Sequence, residues 1–440
     1  MTDRPIERLI DLTDPAANRI LSGTTEQARE RIAEGPPEAV REISGSFALA
    51  ARIGDTVRMA RSLDRPLRYF LAKRADGPVL VVADRIDAIH AFLKKEGLDA
   101  QFHPSYTRMV PAHHVVEIRL VGCPDPDATY ARFLEPPRDA GPASLDEVGS
   151  RYVGALADEI ARWLTSLPDR EPIGVCFSGG IDSGAVFLTA YHVMQRLGMP
   201  LARLKAFTLS AGGGLDLVQA RRFLASLSLE LFLEEVEVPS DWIDPLEAVR
   251  VVEDYKPLDV ESAAMALALC RGIRTRYPDW RYLMDGDGGD ENLKDYPIEE
   301  NSELTIVSVV QNPLLYQEGW GVGRLKHSLT YSGGQSRSYT RTYAPARLYG
   351  FEGLSPFTRP ALVEIASSIP FGELTRLDLA RLYALKGEIV SRGILAVTGL
   401  AMPVYPKRRF QHGALPQGSF APRFGYAEAD YRRRFLSLYA

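Results

Sequence analysis

The segment Val175-Cys-Phe-Ser-Gly-Gly-Ile-Asp-Ser183 restricts the fold more than any other part of the chain. An apolar run that ends in two adjacent glycines and opens at once into a helical pattern reads as strand, tight turn and helix start. Two glycines let the backbone N–H groups of Ser178, Gly179 and Gly180 point into one concavity, and the helix N-terminus adds positive potential, so a phosphate chain suits the turn. Asp182 fits beside phosphate only with a cation such as Mg2+ between them. The Walker A lysine and the G-x-G-x-x-G spacing are both missing, which sets those two loops aside. A plain serine-glycine turn competes as an account of these residues taken alone.

A second loop strengthens the phosphate reading. Asp285-Gly-Asp-Gly-Gly-Asp-Glu291 follows the apolar Tyr282-Leu-Met and holds four acidic residues and three glycines in seven positions. It lacks the twelve-residue ligand spacing of a calcium loop, and the strand before it argues against a merely solvated acidic turn. Between and around these loops, strands are predicted at 173–177, 205–209, 231–238 and 282–284. They alternate with helices from Gly184, near 217–227, and over 263–275. That alternation predicts an α/β fold with a doubly wound parallel sheet. Both loops then leave the carboxyl edge of the sheet, where Asp182 and Asp290 can share one metal ion over a phosphate chain.

Upstream, 46–50, 57–61, 67–71, 79–83 and 114–120 read as short strands separated by turn residues, so residues 1–135 are predicted to form a β-rich α+β domain with one or two helices. The Pro-, Gly- and charge-rich stretch 136–143 reads as a linker to a second domain over 144–440. Ser144 and Glu147 have capping-box spacing, and Val148, Tyr152, Leu156, Ile160 and Trp163 form one apolar stripe, predicted to pack on the sheet that follows. His113 and His114 point to opposite faces if they lie in a strand, which makes them poor co-ligands.

Composition excludes several classes. The 440 residues are 45% hydrophobic and 25% charged, with 52 basic against 57 acidic side chains, a formal net charge of −5. This is neither a disordered nor a membrane-spanning composition, and no basic field directs the chain to nucleic acid or lipid. The compact apolar run at 263–270 is less than half of the roughly 20 residues a spanning helix needs. The N-terminal residues mix charges, unlike a secretory signal, and three scattered cysteines write neither a disulfide framework nor a zinc knuckle. A reducing cytoplasm is the expected compartment.

Ser178-Gly-Gly-Ile-Asp-Ser183 resembles the pyrophosphatase loop of the asparagine synthetase family, and Gly286-Asp-Gly-Gly-Asp-Glu291 resembles that family's second acidic loop. The likeness continues through Leu354-Ser-Pro-Phe357, Tyr383-Ala-Leu-Lys386 and Pro403-Val-Tyr-Pro-Lys-Arg-Arg-Phe410. It implies an ATP-pyrophosphatase synthetase domain that adenylates a carboxylate, releases pyrophosphate and lets a nitrogen nucleophile displace AMP. The implied cofactors are ATP and Mg2+. Asp182 and Asp290 would hold the metal, and Ser178, Gly179, Gly180, Ser183, Leu209 and Gly286 the nucleotide. By position Lys407 matches the catalytic lysine and Lys386 a second lysine facing the phosphates; each is otherwise a solvated surface lysine. The partners implied are small-molecule or peptide carboxylates and amines, with no nucleic acid and no membrane, and a homodimer is a further expectation.

The first 135 residues resemble that family's glutaminase-type, Ntn-like domain through Gly45-Ser-Phe-Ala-Leu-Ala and Arg61-Ser-Leu-Asp-Arg-Pro-Leu-Arg-Tyr-Phe. Position 2 is threonine where such a glutaminase needs its cysteine nucleophile, so nitrogen is expected to come from an amine and not from glutamine. Silent first domains of this kind also occur in β-lactam synthetases, carbapenam synthetases and lasso-peptide cyclases. The tyrosine-glutamate pair of the β-lactam formers is absent: Asp287 stands at the tyrosine position, and Thr358 and Arg359 where the acid would be. Asp287 is a candidate general base, with a carboxylate supporting the metal as its alternative. The F-G-G-Y of the family is here Leu293-Lys-Asp-Tyr296. Arg337, Arg341 and Arg347, in the Gly-, Ser- and Tyr-rich stretch 297–349, are candidates to receive a substrate carboxylate. The reading is thus an amide synthetase of specialised biosynthesis, with a peptide macrolactam cyclase, an ammonia-dependent enzyme and a silent nucleotide-binding partner as alternatives.

Overall fold

The computed structural model describes residues 8–75, 77–121, 128–135, 137–295, 298–300, 304–311, 342–406, 410–416 and 418–440. They fall into two compact units, one running up to Glu135 and including Arg433–Ala440, the other lying between them.

In the first unit, strands β1 (Leu9–Asp11), β6 (Arg68–Arg74), β7 (Gly77–Ala83) and β8 (Arg108–Met109) form a sheet in the order β1-β7-β6-β8. A second sheet has the order β10-β9-β5-β4, from β4 (Ala48–Ile53), β5 (Thr56–Arg61), β9 (His114–Arg119) and β10 (Thr129–Arg132). Strands β2 (Arg19–Ile20) and β3 (Gly45–Ser46) pair separately. Val79-Leu-Val-Val-Ala is apolar at every position because β7 is covered on both faces. Leu80 and Val82 pack with Val57, Met59 and Val116 of the second sheet, while Val79, Val81 and Ala83 pack under Ile89 and Leu93 of α2 (Ile86–Lys95). Helix α1 (Thr25–Glu34) covers β4 and β5 and opens with a complete Thr24–Gln27 capping box. The layering is helix, sheet, sheet, helix.

The second unit is built on a parallel sheet of β11 (Ile173–Cys176), β12 (Leu204–Ser210), β13 (Leu233–Glu237), β14 (Tyr282–Met284) and β15 (Glu352–Leu354), in the order β13-β12-β11-β14-β15. The chain builds outward from β11 to one side and then returns to the other. A crevice therefore opens between β11 and β14 at their carboxyl ends. The α/β, parallel-sheet expectation holds for this unit, and the edge strand β15 is an addition. Helix α3 (Leu145–Thr165) starts at Ser144, whose Oγ accepts the Glu147 amide at 3.4 Å. Its predicted stripe is buried in one core cluster with Ile173, Val175, Tyr282 and Met284 of the sheet, and Trp163 stands edge-on to Tyr282 at 5.9 Å. The main partner of α3 is the helix Leu379–Thr398, because Gly149 and Gly393 let the two backbones touch: a Cβ on Gly149 would meet the Ile389 carbonyl at 2.5 Å. Helix α4 (Ile181–Arg196) begins three residues before the predicted Gly184, with Gly180 as N-cap, which puts Asp182 in the first turn. Helix α5 is Leu215–Ala225, and α6 (Pro245–Val252) leads to α7, which begins early, at Pro257, and ends at Arg276. The expected linker is tied down, since Gly141 donates to the Ser368 carbonyl at 2.7 Å.

Candidate active site

The two loops meet at the crevice, and their glycines explain how. A Cβ at Gly289 would lie 2.2 Å from Asp182 Oδ1, and one at Gly286 would lie 2.9 Å from the Asp182 Cβ and the Ser183 nitrogen. Only glycine lets the acidic loop close over the start of α4. Gly288, at φ 96°, turns that loop into the short helix α8 (Gly289–Asn292). Asn292 then fastens it, donating to the Tyr152 hydroxyl at 3.0 Å and the Phe357 carbonyl at 2.8 Å. In the first loop the Ser183 hydroxyl accepts the Ser178 amide at 3.2 Å, and the Gly180 amide donates to Ser178 Oγ at 3.3 Å.

A cavity of about 280 Å³ lies between them. Ser178, Gly180, Asp182, Ser183, Leu209, Gly286, Asp287, Asp290 and Lys386 all line it. Gly179 is not among the lining residues; at φ 71° it makes the turn, and a Cβ there would press on the Ala220 nitrogen at 2.9 Å. Apolar lining comes from Leu258 and Leu269 of α7 together with Tyr405, Pro406 and Phe410. Cys176 also lines the cavity, but burial, with Cys270, Asp285 and Asp287 nearby, raises its thiol pKa well above the usual value, so it is not poised as a nucleophile.

Lys386 is the centre of the charged end. It lies 2% exposed in the helix Leu379–Thr398, with its Nζ 2.5 Å from Asp182 Oδ2, bonded to Asp290 Oδ1, and 3.5 Å from Asp295 Oδ2. Burial by itself would lower its pKa, but Asp182, Asp290 and Asp295 outweigh that and hold the ammonium well above the ordinary lysine value. Two of these three partners, Asp182 and Asp290, are the carboxylates expected to bind metal. Asp182 and Asp290 are hard oxygen donors converging on one point, which fits Mg2+. Among the described residues no group of three or more His, Cys, Asp or Glu is disposed to hold a metal ion unaided, so phosphate oxygens would have to complete the shell.

Thr342 Oγ1 lies 2.8 Å from both Asp285 Oδ2 and Asp287 Oδ2, and Ser355 donates to Asp285 Oδ2 at 2.9 Å. Sequence reasoning assigned no role to Thr342, Ser355 or Asp295; Asp295, in the altered Leu293-Lys-Asp-Tyr296 segment, and Ser355, in Leu354-Ser-Pro-Phe357, left a trace. Lys407, Arg337, Arg341 and Thr2 lie outside the described residues. Arg347 sits in the short helix Ala344–Leu348, is not among the lining residues and stacks over Tyr343 at 5.9 Å. His113 precedes β9 in a left-handed conformation, φ 61°, and is buried, while His114 is half-buried, so they form no shared site. No helix among the described residues is long and apolar enough to cross a membrane.

Residues 158–342 match the family model described as asparagine synthase. A stretch of 117 residues, 26% of this chain, is 33% identical to a tRNA(Ile)-lysidine synthase of Salinispora arenicola, and the match spans 30% of that protein's length.

Proposed function

Residues 158–342 place this chain in the asparagine synthetase family, whose enzymes use ATP, and on that premise we propose that it is an AMP-forming amide synthetase that takes its nitrogen from an amine and not from glutamine. One observation carries the reading: carboxylates from two strand-end loops, Asp182 and Asp290, converge on a single point beside the Ser178–Ser183 turn. Mg2+ bound there would neutralise the departing pyrophosphate. The chain's own groups do the rest. Ser178, Gly180 and Ser183 offer amides and hydroxyls to the phosphates, and Lys386 supplies a fixed positive charge. Asp287, lining the cavity within reach of Thr342, is the proposed base for the incoming amine. Lys407, four residues beyond Pro403, is the proposed stabiliser of the oxyanion formed in amide closure.

The proposal extends to the first unit, which we take as a degenerate glutaminase-type domain over 1–135. Its helix, sheet, sheet, helix layers support this, and Arg61 there is spent on the carbonyls of Val110, Ser62, Leu63 and Arg65. A role in specialised biosynthesis belongs to the same proposal and agrees with the apolar cavity wall, which would suit an apolar acyl group.

The test is to incubate the protein with Mg-ATP, candidate carboxylic acids and amines, and to separate the products. AMP and pyrophosphate are expected, with no glutamate released from added glutamine and no change in Thr2→Ala. ADP as the nucleotide product would overturn the adenylation mechanism.

A further inference from the structure

A second cavity, of about 760 Å³, opens in the same unit and has no lining residue in common with the proposed nucleotide cavity. It lies at the carboxyl ends of β12 and β13, the edge of a parallel sheet at which ligands bind. The chain passes from Leu209, which lines the first cavity, to Ala211 and Gly212, which line the second. The stretch from Leu415 to Arg423 supplies the rest of the enclosure. Backbone contact fixes that stretch in place: the Ala211 amide donates to the Ala414 carbonyl at 3.3 Å, and a Cβ on Gly214 would lie 2.2 Å from the Gly413 carbonyl oxygen. Sites for small organic ligands and short peptides have volumes of roughly 300–1,000 Å³.

The lining combines one acid, one base and rigid apolar surface. Strand β13 carries three glutamates. Glu234 pairs with Lys205 at 2.9 Å and Arg276 at 2.8 Å, and Glu235 pairs with Arg221 at 2.6 Å. Glu237, the one at the cavity, has a side chain with no ion pair or hydrogen bond among the described residues. Arg423 sits in the short helix Phe420–Phe424, which the buried Phe424 anchors, and its described partner is neutral, the Ser240 hydroxyl at 3.3 Å from Nη2. A carboxylate and a guanidinium that share one cavity without pairing can each take an opposite charge from a ligand. Between them, Val238 and Leu415 are buried apolar groups, and Pro239, Pro416 and Pro422 give up no side-chain freedom when a ligand covers them.

We propose that this second cavity binds a short peptide by both of its ends, the ammonium on Glu237, the carboxylate on Arg423 and an aliphatic body against Val238, Leu415 and the prolines. The site goes beyond the adenylation reading and depends on neither the metal nor the nucleotide assignment.

The test is calorimetric titration of the full-length protein with the dipeptide leucyl-leucine, in the presence of Mg2+ and a non-hydrolysable ATP analogue. Saturable binding is expected, and N-acetylation or C-terminal amidation of the dipeptide should each weaken it at least about tenfold, the worth of one charge-assisted contact. Glu237→Gln should erase the preference for the free amine and keep that for the free acid; Arg423→Gln should do the reverse. Neither side chain is buried, so both variants keep the fold. Asp182→Asn, in the other cavity, should leave the dipeptide affinity unchanged. No saturable binding to the wild type, or an end preference that survives its own variant, would overturn the site. Loss of binding in Asp182→Asn would assign the dipeptide to the nucleotide cavity and overturn it as well. ADP in place of AMP as the reaction product would overturn the adenylation reading and leave this site standing.

Discussion

Each unit buries cations, and the two put them to different use. In the first, Arg61, Arg65 and Arg68 are at most 1% exposed and bind mostly backbone carbonyls: Arg61 takes four, Arg65 that of Ala17 beside the Asp84 carboxylate at 3.2 Å, and Arg68 the carbonyl of Asp84 at 2.6 Å. Such a fork is locked, because its acceptors are held by strands and turns that cannot move without unfolding. In the second, Lys386 meets three side-chain carboxylates on two loops and a helix end. Those acceptors are all side-chain carboxylates, whereas the first unit's arginines are held mainly by the main chain.

The contrast can be broken most forcefully at Arg61. Arg61→Met leaves the carbonyls of Val110, Ser62, Leu63 and Arg65 short of a donor, which should cost at least about 3 kcal/mol in urea unfolding of the full chain. ATP affinity should be unaffected; a stable variant would show that the arginine's carbonyl contacts contribute little to the fold. At the other pole, Asp182→Asn or Asp290→Asn should lower pyrophosphate release by at least about 10²-fold, a barrier increase of about 2.7 kcal/mol. Neither should lower the melting temperature by more than a few degrees, since Lys386 keeps its other two carboxylate partners. Near-normal release would remove the functional side of the comparison.

A smaller effect sharpens it. Burial, reinforced by His114, Arg132, Arg61 and Arg41, lowers the His113 pKa to about 3. The unfolded chain, near about 6.5, then binds a proton that the folded chain refuses. Stability from this group is complete above pH 6.5 and is lost as pH falls from there toward 3, at roughly 2 kcal/mol by pH 5. Asparagine tolerates the left-handed backbone and does not titrate, so His113→Asn should flatten the unfolding free energy between pH 6.5 and 5 relative to wild type. An unchanged slope would show that His113 is protonated in the folded state.

Much of the site was legible because it is local. Asp182 and Asp290 each follow an apolar strand and a glycine turn, and Lys386 is a polar residue inside an otherwise apolar helical stripe. Asp295, Thr342 and Ser355 gave little sign, since their roles come from partners elsewhere in the chain. The largest neighbour of α3 was hidden for a related reason. An apolar stripe states that a face will be buried, but the contact between Gly149 and Gly393, not the stripe, selected a helix as the main neighbour.

The sequence by itself determined the period of each element, the glycine turns that end β11 and β14, and the acid and hydroxyl groups available at those turns, because steric limits on φ and ψ act between neighbours. Tertiary structure decided which of those groups meet. Lys386 and Asp182 are 204 residues apart, and Lys386 and Asp290 are 96 apart. What brings them together is strand order, with β14 beside β11, and that order is set by the burial of whole elements against one another, which no local pattern encodes.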